Sequence, residues 1–149
     1  MMDRKPLVQK LVRGRDAYFT VSWSRLRKSE KYEIVRSVPS DAGIYELYYM
    51  DRKKKLCLFH VGKSWYGGLR NEIRLRTDAE LEKDAARRAL LEKHDCWYRW
   101  SLLSSSEDMA DILFFFAQTH LPGIASVHHS GRYSRIFVNE QDADKIVTI

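Results

Sequence analysis

The amino-acid sequence predicts a small domain of the α+β class, and three features of the 149-residue chain carry that expectation. Ile44 to Met50 is rich in β-branched and aromatic residues, and Leu56 to Val61 has the same character. The five polar residues between them, Asp51 to Lys55, make an antiparallel hairpin the simplest pairing. Stretches of helical character follow, from Leu69 to about His94 and from Glu107 to His120, with a third strand-like run, Cys96 to Leu103, between them.

Taken in order, the first 38 residues read as a basic extension that packs partly on the domain, with Trp23 as its anchor. Ala17 to Val21 reads as a strand within it, whereas Ser24 to Arg36 has apolar residues only at Leu26, Tyr32, Ile34 and Val35, too sparse for a helix. Val38-Pro39-Ser40-Asp41-Ala42-Gly43 is a turn cluster, and the domain itself spans 39–125. After the hairpin, Gly62 to Gly68 forms a loop into the helix from Leu69, which continues or restarts at Thr77. Thr77-Asp78-Ala79-Glu80 has capping-box spacing, in which hydroxyl and carboxylate each satisfy a free backbone N–H. Ser104-Ser105-Ser106 offers N-caps, and Glu107 and Asp108 sit where the helix dipole favours acids. Pro122-Gly123 ends that helix. Residues 126–149 add a strand over 133–138 and a short helix from Asp142 to Ile146, packed on the domain.

Composition narrows the class. Hydrophobic residues make up 44% and charged residues 31%, which suits a folded core and argues against disorder. No apolar run approaches the roughly 20 residues of a membrane span, and no basic-then-apolar leader opens the sequence. Cys57 and Cys96 have neither metal-ligand nor redox spacing and read as small buried hydrophobes, so the expected location is cytoplasmic. The net charge of +6 arises within residues 1–40, which carry ten Lys/Arg against four Asp/Glu. From Arg52 to Arg76 eight basic residues face one acid, Glu72, and from Asp78 to Asp111 nine acids face five bases. Such segregation can attract a phosphate backbone without reading sequence.

Gly43-Ile44-Tyr45 on the first strand, His60-Val61-Gly62 on the second, and then Lys63-Ser64, Gly67-Gly68-Leu69-Arg70 and Ile73 follow one another in an order that resembles the GIY-YIG nuclease family from Pro39 to about Pro122. The resemblance implies a small three-stranded antiparallel sheet flanked by helices. It also implies phosphodiester cleavage with one divalent metal, Mg²⁺. A tyrosine would work beside the attacking water, a helix arginine would hold phosphate charge, and a glutamate on a later helix would bind the metal. Those residue types suit proton removal, transition-state charge and a hard cation.

The sequence fills this pattern in part. Tyr45 stands at the first tyrosine, and His60, which can exchange a proton near neutral pH, replaces the second. Glu72 occupies the arginine position between Arg70 and Arg74, and Arg76 takes a histidine slot. Leu113, beside Phe114, falls where the metal glutamate belongs, and Asp111 lies two residues earlier. The expectation is therefore a nucleic-acid-binding protein, acting on DNA, with a degenerate catalytic set and weak or no cleavage. One alternative is an active enzyme with Tyr45, His60, Arg70 or Arg74 and the ligand Asp111 in a changed register. The other is a protein-interaction module using Phe114 to Phe116. Lys54, Lys63, Ser64, Trp65 and Arg76 are the expected nucleic-acid contacts, with Tyr66 available to stack. Trp97, Tyr98 and Trp100 read mostly as core, and His128-His129 with Arg132, Tyr133 and Arg135 as a surface loop. No nucleotide-binding glycine loop, Ser/His/Asp arrangement or zinc spacing is present.

Overall fold

A computed structural model describes residues 5–120 and 128–143. Its elements run β1 (Val8–Arg13), β2 (Asp16–Ser22), β3 (Arg27–Lys28), α1 (Lys31–Ser37), β4 (Gly43–Met50), β5 (Leu56–Ser64), α2 (Gly68–Thr77), α3 (Ala85–Lys93), β6 (Cys96–Leu102), α4 (Ser106–Thr119) and β7 (Arg135–Gln141). The mixed α and β composition is as expected. The expected helix stop at Pro122-Gly123 lies outside the described residues, as does the terminal helix beyond Ala143.

The strands form two sheets. One is antiparallel throughout, in the order β3-β6-β4-β5, so the β4–β5 hairpin and β6 make the expected three antiparallel strands and β3 adds a short fourth. The other has the order β1-β2-β7, with β1 and β2 antiparallel and β7 parallel to β2. The first 38 residues thus supply two strands of one sheet, one of the other, and α1. The sparse apolar pattern of Ser24 to Arg36 hid α1 because that helix buries only Ile34, while its start is fixed by a cap: the Glu30 carboxylate accepts from the N–H groups of Tyr32 and Glu33. Trp23 is buried, as its anchoring role requires.

The core has two parts, one on each face of β4, because alternate strand residues point to opposite sides. Ile44 joins Phe19, Val21, Trp23, Met109, Ile112 and Phe116, so α4 is clamped between the sheets. Tyr45 and Leu47 join Ile34, Val38, Leu69, Ile73 and Tyr98 under α1 and α2. On the Ile44 face lies a buried ion network in which Arg99 donates from Nε to Glu46 at 2.6 Å and from Nη1 to Asp142 at 2.5 Å. Trp23 Nε1 donates to Glu140 at 2.8 Å, which ties this network to the end of β7.

Helix α2 is seated by its entry. Gly68 has φ +82° and lies so close to the preceding turn that a Cβ would come within 1.9 Å of the Ser40 carbonyl oxygen. That turn accepts from the first helical N–H groups, Leu69 to Asp41 at 2.9 Å and Arg70 to Pro39 at 3.0 Å. The capping box expected at Thr77 does not form: the Thr77 hydroxyl donates back to the Ile73 carbonyl, and α3 starts eight residues later with Asp84 accepting from the Arg87 N–H.

Candidate functional site

Pairing of β4 and β5 sets Tyr45 opposite Gly62 and Leu47 opposite His60, so the two glycine-bearing segments do lie on adjacent antiparallel strands. Tyr45 and His60 share one face, with ring centroids 5.5 Å apart. The glycine has a steric cause. A Cβ on Gly62 would sit 2.4 Å from Tyr45 Oη and 2.5 Å from Cζ, so the strand must be bare there for the tyrosine ring to lie across it. Gly43 is likewise closed in, a Cβ there meeting the Ser101 carbonyl oxygen at 2.3 Å and Leu69 at 2.6 Å.

Helix α2 completes the cluster. Tyr45 Oη donates to Glu72 Oε2 at 2.7 Å, and His60 Nε2 lies 3.1 Å from the same hydroxyl. A phenol has one proton to give, and it is directed to the carboxylate, so His60 Nε2–H is the donor in the second contact. Arg76, one turn along the helix, approaches Glu72 at 3.4 Å and donates to Glu82 Oε1 at 3.2 Å. Glu82 also pairs with Arg87 at 3.4 Å and accepts from the Asp84 N–H at 3.0 Å.

Electrostatics follow from burial. Tyr45 is wholly buried, and desolvation, reinforced by the Glu72 carboxylate, raises its pKa well above 10. Burial, with Arg87 and Arg76 nearby, lowers His60 to about 4. For Glu82 burial pushes the pKa upward, but the Asp84 N–H and the Arg87 guanidinium outweigh it and the net shift is downward. The result is two neutral donors in series, His60 to Tyr45, ending on the Glu72 carboxylate, which together with Glu82 cancels the charges of Arg76 and Arg87. It can pass polarisation along hydrogen bonds. It offers no ionised tyrosine to remove a proton from water, and no surplus positive charge for a phosphate.

The other expected residues are dispersed. Arg70 Nε donates to the Val38 carbonyl at 2.8 Å, and Arg74 lines a recess with Ser29, Glu30 and Ile34 on the α1 side. Lys63 is exposed at the end of β5 beside the half-exposed Trp65 and the 89% exposed Tyr66, whereas Ser64 is buried. Lys54 sits at φ +61° in the hairpin turn. Asp111, the expected metal ligand, is on α4, across the sheet from Tyr45. Its carboxylate is buried and already accepts from Ser130 N–H at 2.6 Å, Ser130 Oγ at 2.8 Å and Arg132 Nη2 at 2.8 Å. Among the described residues no group of three or more His, Cys, Asp and Glu could hold a metal ion. Sequence reasoning missed Glu82 and Arg87, which lie between and within helices of unremarkable composition and reach the cluster only through the fold.

No helix among the described residues is long and apolar enough to cross a membrane. No curated protein and no solved structure matches the chain. A family model described as "Uncharacterised protein" matches residues 7–149, and the chain belongs to that family.

Proposed function

We propose that this protein binds nucleic acid through a GIY-YIG-like frame without cutting it. The observation that carries the reading is the Tyr45 hydroxyl donating to Glu72 at 2.7 Å, with His60 on the other side. The tyrosine and histidine of the resemblance converge on one face of the β5-β4-β6 sheet, which supports the frame. An acid stands where the chemistry needs a cation, which supports the loss of cleavage. Arg70 is bonded to the Val38 carbonyl, Arg74 lies in the recess on the α1 side and Asp111 is committed to Ser130 and Arg132, so the rearranged-site alternative gains no support. Mg²⁺ has no role in this reading. Lys63, Trp65 and Tyr66 at the end of β5 would meet the nucleic acid, charge to phosphate and rings to the sugars of the backbone.

The test pairs binding with cleavage on duplex and branched DNA. Fluorescence anisotropy should show binding that weakens steeply with salt and is reduced by Lys63→Glu and Trp65→Ala. Incubation with Mg²⁺ or Mn²⁺ should leave both substrates intact. Metal-dependent nicking that disappears in Tyr45→Phe and His60→Ala would overturn the non-cutting role, and failure to bind either DNA would overturn the nucleic-acid reading.

A further inference from the structure

The β1-β2-β7 sheet turns Ala17, Phe19 and Val21 toward α4 and leaves its opposite face uncovered by any helix among the described residues. Strand alternation brings a defined set of side chains to that outer face. Leu11, Tyr18 and Phe137 are register partners, forming one row across all three strands, and are 53%, 38% and 39% exposed. The Tyr18 and Phe137 rings are parallel within 14°, with centroids 5.0 Å apart. Two residues along each strand on one side lies the row Arg13, Asp16 and Arg135, and on the other side Gln9, Thr20 and Asn139.

We propose that this face binds single-stranded nucleic acid, bases stacking on Tyr18 and Phe137 and phosphates meeting the arginine row. Stacking needs an unpaired base with its π face free, which a duplex does not offer. The apolar strip is one row wide and lies between guanidinium groups on one side and amide and hydroxyl groups on the other. That layout matches a nucleotide, with its ring, phosphate and hydrogen-bonding edge, better than the broad apolar centre of a protein interface. Asp16 is the acid on this face. Arg135 spans it with bonds of 3.1 and 2.7 Å, which fixes its guanidinium 5.7 Å from the Phe137 centroid while leaving the side chain exposed, and Arg13 is the second exposed cation of the row. The whole charge surplus of the chain lies in residues 1–40, which include β1 and β2. This face is on a different sheet from Lys63, Trp65 and Tyr66, so it does not depend on the function proposed above.

The experiment uses the full chain with fluorescein-labelled (dT)20, (U)20 and a 20-base-pair duplex, followed by anisotropy. Tyr18→Ala and Phe137→Ala should each weaken single-strand binding about fivefold or more, the lower end of what a stacked base contributes. Tyr18→Phe, which keeps the ring, should bind as the parent does, and the duplex should be unaffected by all three. Lys63→Glu with Trp65→Ala should show the reverse pattern, so failure of one surface is distinguishable from failure of the other. A Tyr18→Ala/Phe137→Ala protein with native circular dichroism and undiminished single-strand affinity would overturn the proposal. So would a parent protein that ignores single strands, or one in which these substitutions change only self-association in sedimentation. If the variants fail to fold, photocrosslinking of the unmodified protein to 5-iodouracil-containing (dT)20 must label peptides of β1, β2 or β7; labelling only elsewhere would overturn it equally.

Discussion

Replacing Gly62 by alanine tests whether the second glycine segment is dictated by the Tyr45 ring. Gly62 is not among the positive-φ glycines, so alanine brings no backbone strain and the effect is steric. The added Cβ would lie 2.4 Å from Tyr45 Oη, 2.5 Å from Cζ and 2.6 Å from Cε1. A free tyrosine tip could swing aside, but this one is wholly buried and held by Glu72 at 2.7 Å. Overpacking of a full core costs about 1–3 kcal/mol. Displacing the ring also weakens a charge-assisted hydrogen bond that contributes about 1.5–3 kcal/mol. Against this, alanine restricts the unfolded chain and returns about 0.4–1 kcal/mol. The net expectation is a loss of about 3 kcal/mol in urea unfolding. In a Tyr45→Ala background the ring is gone and only the unfolded-state term remains, so the same Gly62→Ala change should be neutral or slightly stabilising. The two changes should therefore show a coupling of about 3–4 kcal/mol in a double-mutant cycle. An equal cost in both backgrounds would refute the assignment of Gly62 to the tyrosine ring.

Two further perturbations probe the charges. His60 has a folded pKa near 4 because of burial, against about 6.5 unfolded, so the unfolded chain takes up the proton first as pH falls. Its neutral form stabilises the fold above about pH 6.5, and that contribution, up to about 3 kcal/mol, is lost as pH drops from 6.5 toward 4. His60→Gln, which can still donate to Tyr45 but does not titrate, should flatten this part of the stability–pH curve; an unchanged slope would place the titration elsewhere. Asp111→Asn should destabilise by about 2 kcal/mol, since it weakens the bonds that a buried carboxylate makes to Ser130 and Arg132. The loss should be the same with Mg²⁺ or a chelator, and a Mg²⁺-dependent Tm in the parent that vanishes in the variant would contradict the structural role of Asp111.

Local patterning in the sequence determined the α+β class, β2, the β4–β5 hairpin, α2, β6, α4 and the strand near the C-terminus, because each carries its own signal: aromatic and β-branched runs, a five-residue polar connection, a glycine-rich loop before a helix, serine caps and acids in a first turn. It also brought Tyr45 and His60 together, since one antiparallel register decides their proximity. Only the tertiary structure decided the rest. Helix α1 rests on a single buried residue, Ile34, and a Glu30 cap, so no periodicity announces it. The second sheet joins strands more than a hundred residues apart, Asp16 against Arg135, and parallel pairing at such a distance leaves no local trace. The partners of the charged residues were equally hidden, because an arginine can reach several carboxylates and the fold chooses among them. It directed Arg70 to Val38, Arg76 to Glu72 and Glu82, and Asp111 to Ser130 and Arg132. Sequence named the tyrosine and the glycine that accommodates it; three-dimensional packing decided that the tyrosine stays neutral and points at an acid.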